Sequence, residues 1–150
     1  MEHSTEGHQI EIRLPSRLEL LGVIDKVVEA LTEQMEFEDY DRDAIAISVV
    51  EACTNAIQHG HRARPELTVD VVFEMRKDAL AVTVRDEGSG FSLELDEDPS
   101  PPPDLLQTRG RGIFIMRSMM DDLEFDFSEG TRVTLIKYRS SAGKEEEVAG

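Results

Sequence analysis

The chain has 150 residues, with 16 basic against 32 acidic side chains and a formal net charge of −16. That length supports one domain with its own core, and the single cysteine, Cys53, excludes an internal disulfide, so a reducing cytoplasm is the expected compartment. The acidity argues against nucleic acid as the main ligand, no apolar run reaches the ~20 residues of a membrane span, and the polar start from Met1 to Gly7 shows no signal-peptide pattern.

Residues 1–8 read as a loose N-terminus, 9–138 as one domain and 139–150 as a disordered acidic tail carrying Glu145, Glu146 and Glu147. Ile10, Ile12 and Leu14 alternate with polar neighbours and predict a strand over Gln9 to Leu14. Ser16, with Glu19 three residues on, has the pattern of a capping box opening a helix. Leu20, Leu21, Ile24, Val27, Val28 and Leu31 give that helix its apolar face. A second helix is predicted from about Asp39 to Gln58, with Ile45, Val49, Ala52 and Ala56 inward. His59-Gly60-His61 to Pro65 then breaks it. Val69, Val71, Phe73 and Met75 line one face of a strand, Arg76-Lys77-Asp78 turns, and Leu80, Val82 and Val84 line the return strand. A glycine-rich segment from Asp86 to Phe91 and a proline-rich loop follow. A short apolar helix over Gly112 to Met120 and a hairpin of Leu123 to Phe127 with Thr131 to Tyr138 complete the order. The sum is an α+β two-layer sandwich: a mostly antiparallel, mixed sheet with helices on one face.

Four segments can carry chemistry. Glu51 and Asn55 lie four apart and share one helix face, with His59 another turn along. A carboxylate there can act as a base or hold a water, and an amide oxygen can bind a hard cation such as Mg2+. The plain alternative is a polar face in solvent. Asp86 ends a strand and opens Asp86-Glu87-Gly88-Ser89-Gly90, where it can accept a hydrogen bond from an exocyclic amine and the glycines let backbone approach a ligand. Gly110-Arg111-Gly112 precedes a helix, whose free N–H groups attract phosphate, and Arg109 and Arg111 add positive charge. Gly130-Thr131 opens the last strand. Cys53 points off the Glu51/Asn55 face and reads as a core thiol, and His59 and His61 lack a third ligand for zinc.

In this order the segments resemble the N, G1, G2 and G3 boxes of the GHKL ATPase superfamily, over roughly Ile10 to Tyr138. Glu51-Ala52-Cys53-Thr54-Asn55-Ala56-Ile57-Gln58-His59 and the run from Gly110 to Asp121 are similar to one branch, the bacterial anti-sigma factor serine-protein kinases. A histidine kinase reading lacks an upstream helix bearing a phosphoacceptor histidine, and gyrase-like readings lack a transducer domain.

The resemblance implies ATP and Mg2+ as ligands. Asn55 would hold Mg2+ and Glu51 would be the general base. Asp86 would bind the adenine amine, supported by Thr131. Gly88 and Gly90 would shape the pocket floor, and Gly110 and Gly112 would let backbone reach the phosphates, with Arg109 or Arg111 beside them. It implies a serine/threonine protein kinase that holds a sigma factor and phosphorylates a small anti-sigma-factor antagonist, as a homodimer with no direct nucleic-acid or membrane contact. The alternative is a nucleotide-responsive binding module with little kinase activity.

Overall fold

The computed structural model of the chain describes residues 7–60, 67–86, 112–126 and 131–139. Alternating sequence becomes five strands, β1 (His8–Pro15), β2 (Thr68–Met75), β3 (Ala79–Asp86), β4 (Asp122–Asp126) and β5 (Thr131–Tyr138). They form one sheet in the order β1-β2-β3-β5-β4, which leaves β1 and β4 at the edges. All four pairings are antiparallel, so among the described residues the sheet is not mixed. Ile12 lies opposite Val71 and Phe73 opposite Val82, which sets the apolar side chains of three strands on one face.

Helices α1 (Leu21–Gln34), α2 (Asp39–Asn55) and α3 (residues 112–119) cover that face. Ile24, Val28 and Leu31 of α1 and Ile45, Val49 and Cys53 of α2 are buried against Val69, Val71, Phe73 and Leu80. Met116 and Met120, in and just after α3, join the same core. Ala79, Ala81 and Ile136 make a small second cluster, and alternation along β3 and β5 places it on the opposite sheet face.

The chain does not use the expected capping box. It enters α1 through a 3-10 turn at Leu18–Leu20, capped at Arg17 without a side-chain bond. Ser16 is buried, its hydroxyl has no hydrogen-bond partner among the described residues, and its N–H donates to the Leu67 carbonyl at 2.9 Å. Ser16 therefore ties β1 to the start of β2, and Glu19 pairs with Arg17 instead. At the other end of α1, the Glu36 N–H donates to Glu33 and the Phe37 N–H to Thr32, each at 3.0 Å. This is a Schellman closure, and Glu36 takes the left-handed position at φ 63 that glycine usually fills.

Lys137 of β5 fixes the far end of α3. Its ammonium donates to the Met119 carbonyl at 2.8 Å and lies 3.7 Å from both Asp41 and Asp121. One cation thus joins the start of α2, the end of α3 and the sheet. The expected acidic tail beyond Arg139 and the proline-rich loop lie outside the described residues.

Candidate nucleotide site

Helix α2 presents Glu51 and Asn55, both half-buried, from its last turn and a half. Directly after Asn55 the backbone widens into a π turn, Ala56–Gly60, rather than continuing as α-helix to Gln58. Such turns break the 3.6-residue period and recur at functional sites. The side chain of His59 lies outside the described atoms, as does all of His61.

Strand pairing supplies the opposite wall. Asp86, last in β3, is the register partner of Thr131, first in β5. Both are buried, and the Thr131 hydroxyl has no hydrogen-bond partner among the described residues. Asn55, Asp86 and Thr131 line one small cavity, partly open to solvent. The rest of its wall is apolar: Ala52, Ala56, Val84, Ile113, Met116, Phe125 and Val133. A slot with apolar sides, a buried carboxylate and a hydroxyl at one end suits a flat heterocycle bearing an amine.

Gly112 closes the site on the α2 side. A Cβ built on it would fall 2.6 Å from Glu51 Oε2 and 3.0 Å from Asn55 Nδ2. The first residue of α3 therefore packs directly on the two polar side chains of α2, and only glycine leaves them where they are. Cys53, between them in sequence, turns inward; burial pushes its thiol up to about 12, so it is inert beside the site.

Residues 14–137 match the pattern of the histidine kinase-like ATPase domain. The chain belongs to that family. It is similar to the serine-protein kinase RsbW of Bacillus velezensis, 30% identical over 141 residues that cover 90% of this chain and 88% of the relative. RsbW of Bacillus subtilis is 30% identical over 135 residues, covering 86% and 84%. RsbW of Bacillus licheniformis is 29% identical over a stretch of the same length.

Within this histidine kinase-like ATPase domain the structure brings together five expected site residues, Glu51, Asn55, Asp86, Gly112 and Thr131. Gly88, Gly90, Arg109, Gly110 and Arg111 lie outside the described residues. Among the described residues no cluster of three or more His, Cys, Asp or Glu is placed to cage a metal. The Asn55 amide oxygen fits Mg2+, which takes much of its shell from phosphate and water rather than from protein. The apolar walls were not legible as a site: Val84 reads only as a strand face and Val133 only as part of the last hairpin, and their place beside Asp86 depends on β3 pairing with β5.

Proposed function

We propose that this chain is an ATP- and Mg2+-dependent serine/threonine protein kinase that also acts as an anti-sigma factor, holding a sigma factor and phosphorylating a small antagonist protein. The observation that carries the reading is the convergence of Asn55, Asp86 and Thr131 on one cavity with Gly112 seated on Glu51 and Asn55. The RsbW relatives are named serine-protein kinases, which supports the same assignment.

In this reading the adenine amine donates to Asp86, and Thr131, its register partner on β5, offers its unpaired hydroxyl to the same ligand. Asn55 would hold Mg2+, which when bound neutralises charge on the phosphates. Glu51 is half-buried, so a hydroxyl on another protein can reach it. Glu51 takes the hydroxyl proton, the oxygen bonds to the γ-phosphorus, and the bond to the β-phosphate oxygen breaks to leave ADP. Most of the rate then comes from positioning and charge, as phosphoryl transfer requires.

A thermal-melt titration with ATP and ADP, with and without Mg2+, tests the pocket. Saturation near one hundred times Kd adds about 2.7 kcal/mol, a shift of about 5–10 °C for a chain this size. The shift should need Mg2+ and be lost in Asn55→Ala. Transfer of γ-labelled phosphate to the small proteins encoded beside its gene tests the activity. Glu51→Ala should keep ATP binding and lose transfer. No shift with any nucleotide would refute the reading.

A further inference from the structure

The three elements that meet at the site are tied together again far from it. Helix α2 brings Glu51 and Asn55, α3 brings Gly112, and β5 brings Thr131. Asp41 stands in the first turn of α2, about 21 Å from Asn55 at 1.5 Å per residue. Lys137 stands six residues beyond Thr131 on the same face of β5, about 20 Å away. Its ammonium reaches all three elements. It donates to the carbonyl of Met119, last in α3, at 2.8 Å and lies 3.7 Å from Asp41 Oδ1 and from Asp121 Oδ1. The Lys137 side chain is 12% exposed and that of Asp41 10%, so this contact is largely shielded from water.

The other contacts of α3 leave its place along α2 loosely specified. Its inward residues include Ile113 and Met116, with Met120 just beyond its end. Methionine is unbranched and adapts to irregular space, so it fills a core without dictating a register. Asp121 is held to β5 alone: its N–H donates to the Ile136 carbonyl at 2.9 Å, and its Oδ2 accepts from the Tyr138 N–H at 2.7 Å. On α2, Asp41, Ser48 and Asn55 follow at seven-residue spacing and so lie along one line of the helix. Ser48 is fully buried, yet its hydroxyl has no hydrogen-bond partner among the described residues, so it offers α3 no hold. Directional polar contacts fix register where apolar packing does not, and here Lys137 supplies them.

We propose that Lys137 is a positioning residue for phosphoryl transfer: its bridge between Asp41, Asp121 and the Met119 carbonyl sets the register of α3 along α2, and through it the seat of Gly112 on Glu51 and Asn55. The inference rests on the kinase reading of Glu51. Lys137 touches no reacting group and acts through the backbones of three elements. A slide of α3 by about 1 Å would move Gly112 against or away from Glu51 Oε2, an error that costs on the order of 100-fold in rate when it displaces a reacting group.

The probe is the acceptor protein phosphorylated in the transfer assay above, used well below the Tm of each variant. Lys137→Met should lower kcat about ten- to thirty-fold, with the acceptor KM and the Kd for ATP changed by less than about three-fold, because strand pairing still holds Asp86 beside Thr131. Lys137→Arg keeps a cation of similar reach and should recover most of kcat. Leu31→Ala, a core truncation in α1 that lowers Tm at least as far, should leave kcat unchanged. Lys137→Met combined with Asp41→Leu strands no buried charge and should regain Tm while kcat stays low. In the ligand-free protein, amide exchange along α3 should quicken about ten-fold in Lys137→Met and not in Leu31→Ala. If Lys137→Met does not fold, Asp121→Asn carries the test, with kcat lowered about three-fold at wild-type Tm. Wild-type kcat in Lys137→Met or in Asp121→Asn, kcat that returns with Tm in the double variant, or an equal loss in Leu31→Ala would each overturn the positioning role while leaving the kinase reading intact. Wild-type protein that transfers phosphate to no acceptor would overturn the kinase reading, and this inference with it.

Discussion

Replacing Gly112 with alanine separates stability from activity. The added methyl would sit 2.6 Å from Glu51 Oε2, 3.2 Å from Glu51 Cγ and 3.0 Å from Asn55 Nδ2. Non-bonded contacts to carbon settle near 3.5 Å, so the carboxylate must withdraw by about 1 Å. The crowded atoms are mainly the free ends of two side chains, so the fold can yield there at little expense. Alanine also favours helix over glycine by about 0.5–1 kcal/mol, which offsets part of the strain. The site has no such latitude: a 1 Å error in a reacting group costs on the order of 100-fold in rate, near 2.7 kcal/mol. Gly112→Ala should melt within about 3 °C of wild type yet transfer labelled phosphate about 30–100-fold more slowly. The assay pairs a thermal melt with single-turnover transfer at saturating ATP. Wild-type transfer in a protein of wild-type Tm would refute the argument that Gly112 holds Glu51 in place. A collapse in Tm would show that backbone, not side-chain ends, meets the methyl.

Lys137→Met removes the cation between Asp41, Asp121 and the Met119 carbonyl, and leaves the buried Asp41 without it. A loss of about 2–3 kcal/mol is expected, seen as a Tm lowered by about 5–10 °C. Hydrogen bonds from Arg13, at 2.7 Å, and from Arg85, at 3.1 Å, hold the Asp70 carboxyl below its ordinary range against the opposing effect of its partial burial. Its contribution is present above the unfolded carboxylate range and disappears as pH falls through the lowered folded value. Asp70→Asn should therefore cost about 1 kcal/mol in urea melts at pH 7 and nothing at about pH 2–3. Glu36→Gly relieves a left-handed residue at the end of α1 and should raise Tm by about 2–3 °C. The Cys53 thiol should resist Ellman's reagent at pH 8 in the native protein and react at once in urea.

Strands β1 and β2 were legible because their apolar residues alternate toward the helices. Ile10, Ile12 and Leu14, and Val69, Val71, Phe73 and Met75, alternate without error, and the turn at Arg76 closes as expected through a 2.9 Å bond to Ala79. Helix ends were less legible because tertiary contacts override local signals. Ser16 has the residue type of a cap, but the chain buries it and spends its N–H on Leu67. The end of α1 carries Glu36 where a glycine would have marked it. Helix α2 buries Asp41 and Ser48 beside its apolar stripe, which blurs its period, and its π turn leaves no mark in composition. At the site, the residue types of Glu51, Asn55 and Asp86 were visible singly. Their meeting depends on β5 lying between β3 and β4, an order that no local pattern encodes.

Strand β4 stands at the sheet's edge with Asp122, Glu124 and Asp126 all exposed, and its alternation sets the three on one side. Two such edges meeting antiparallel would lay carboxylates against carboxylates. The opposite edge, β1, carries Glu11 and Arg13 and runs into Pro15, which has no N–H to donate. The sheet is thereby discouraged from growing from one molecule to the next, even though, among the described residues, no strand covers either margin. The surplus of acid that makes the chain a poor match for nucleic acid also acts as a solubility device. It should fail first on acidification, when β4 loses its charge and concentrated solutions turn cloudy.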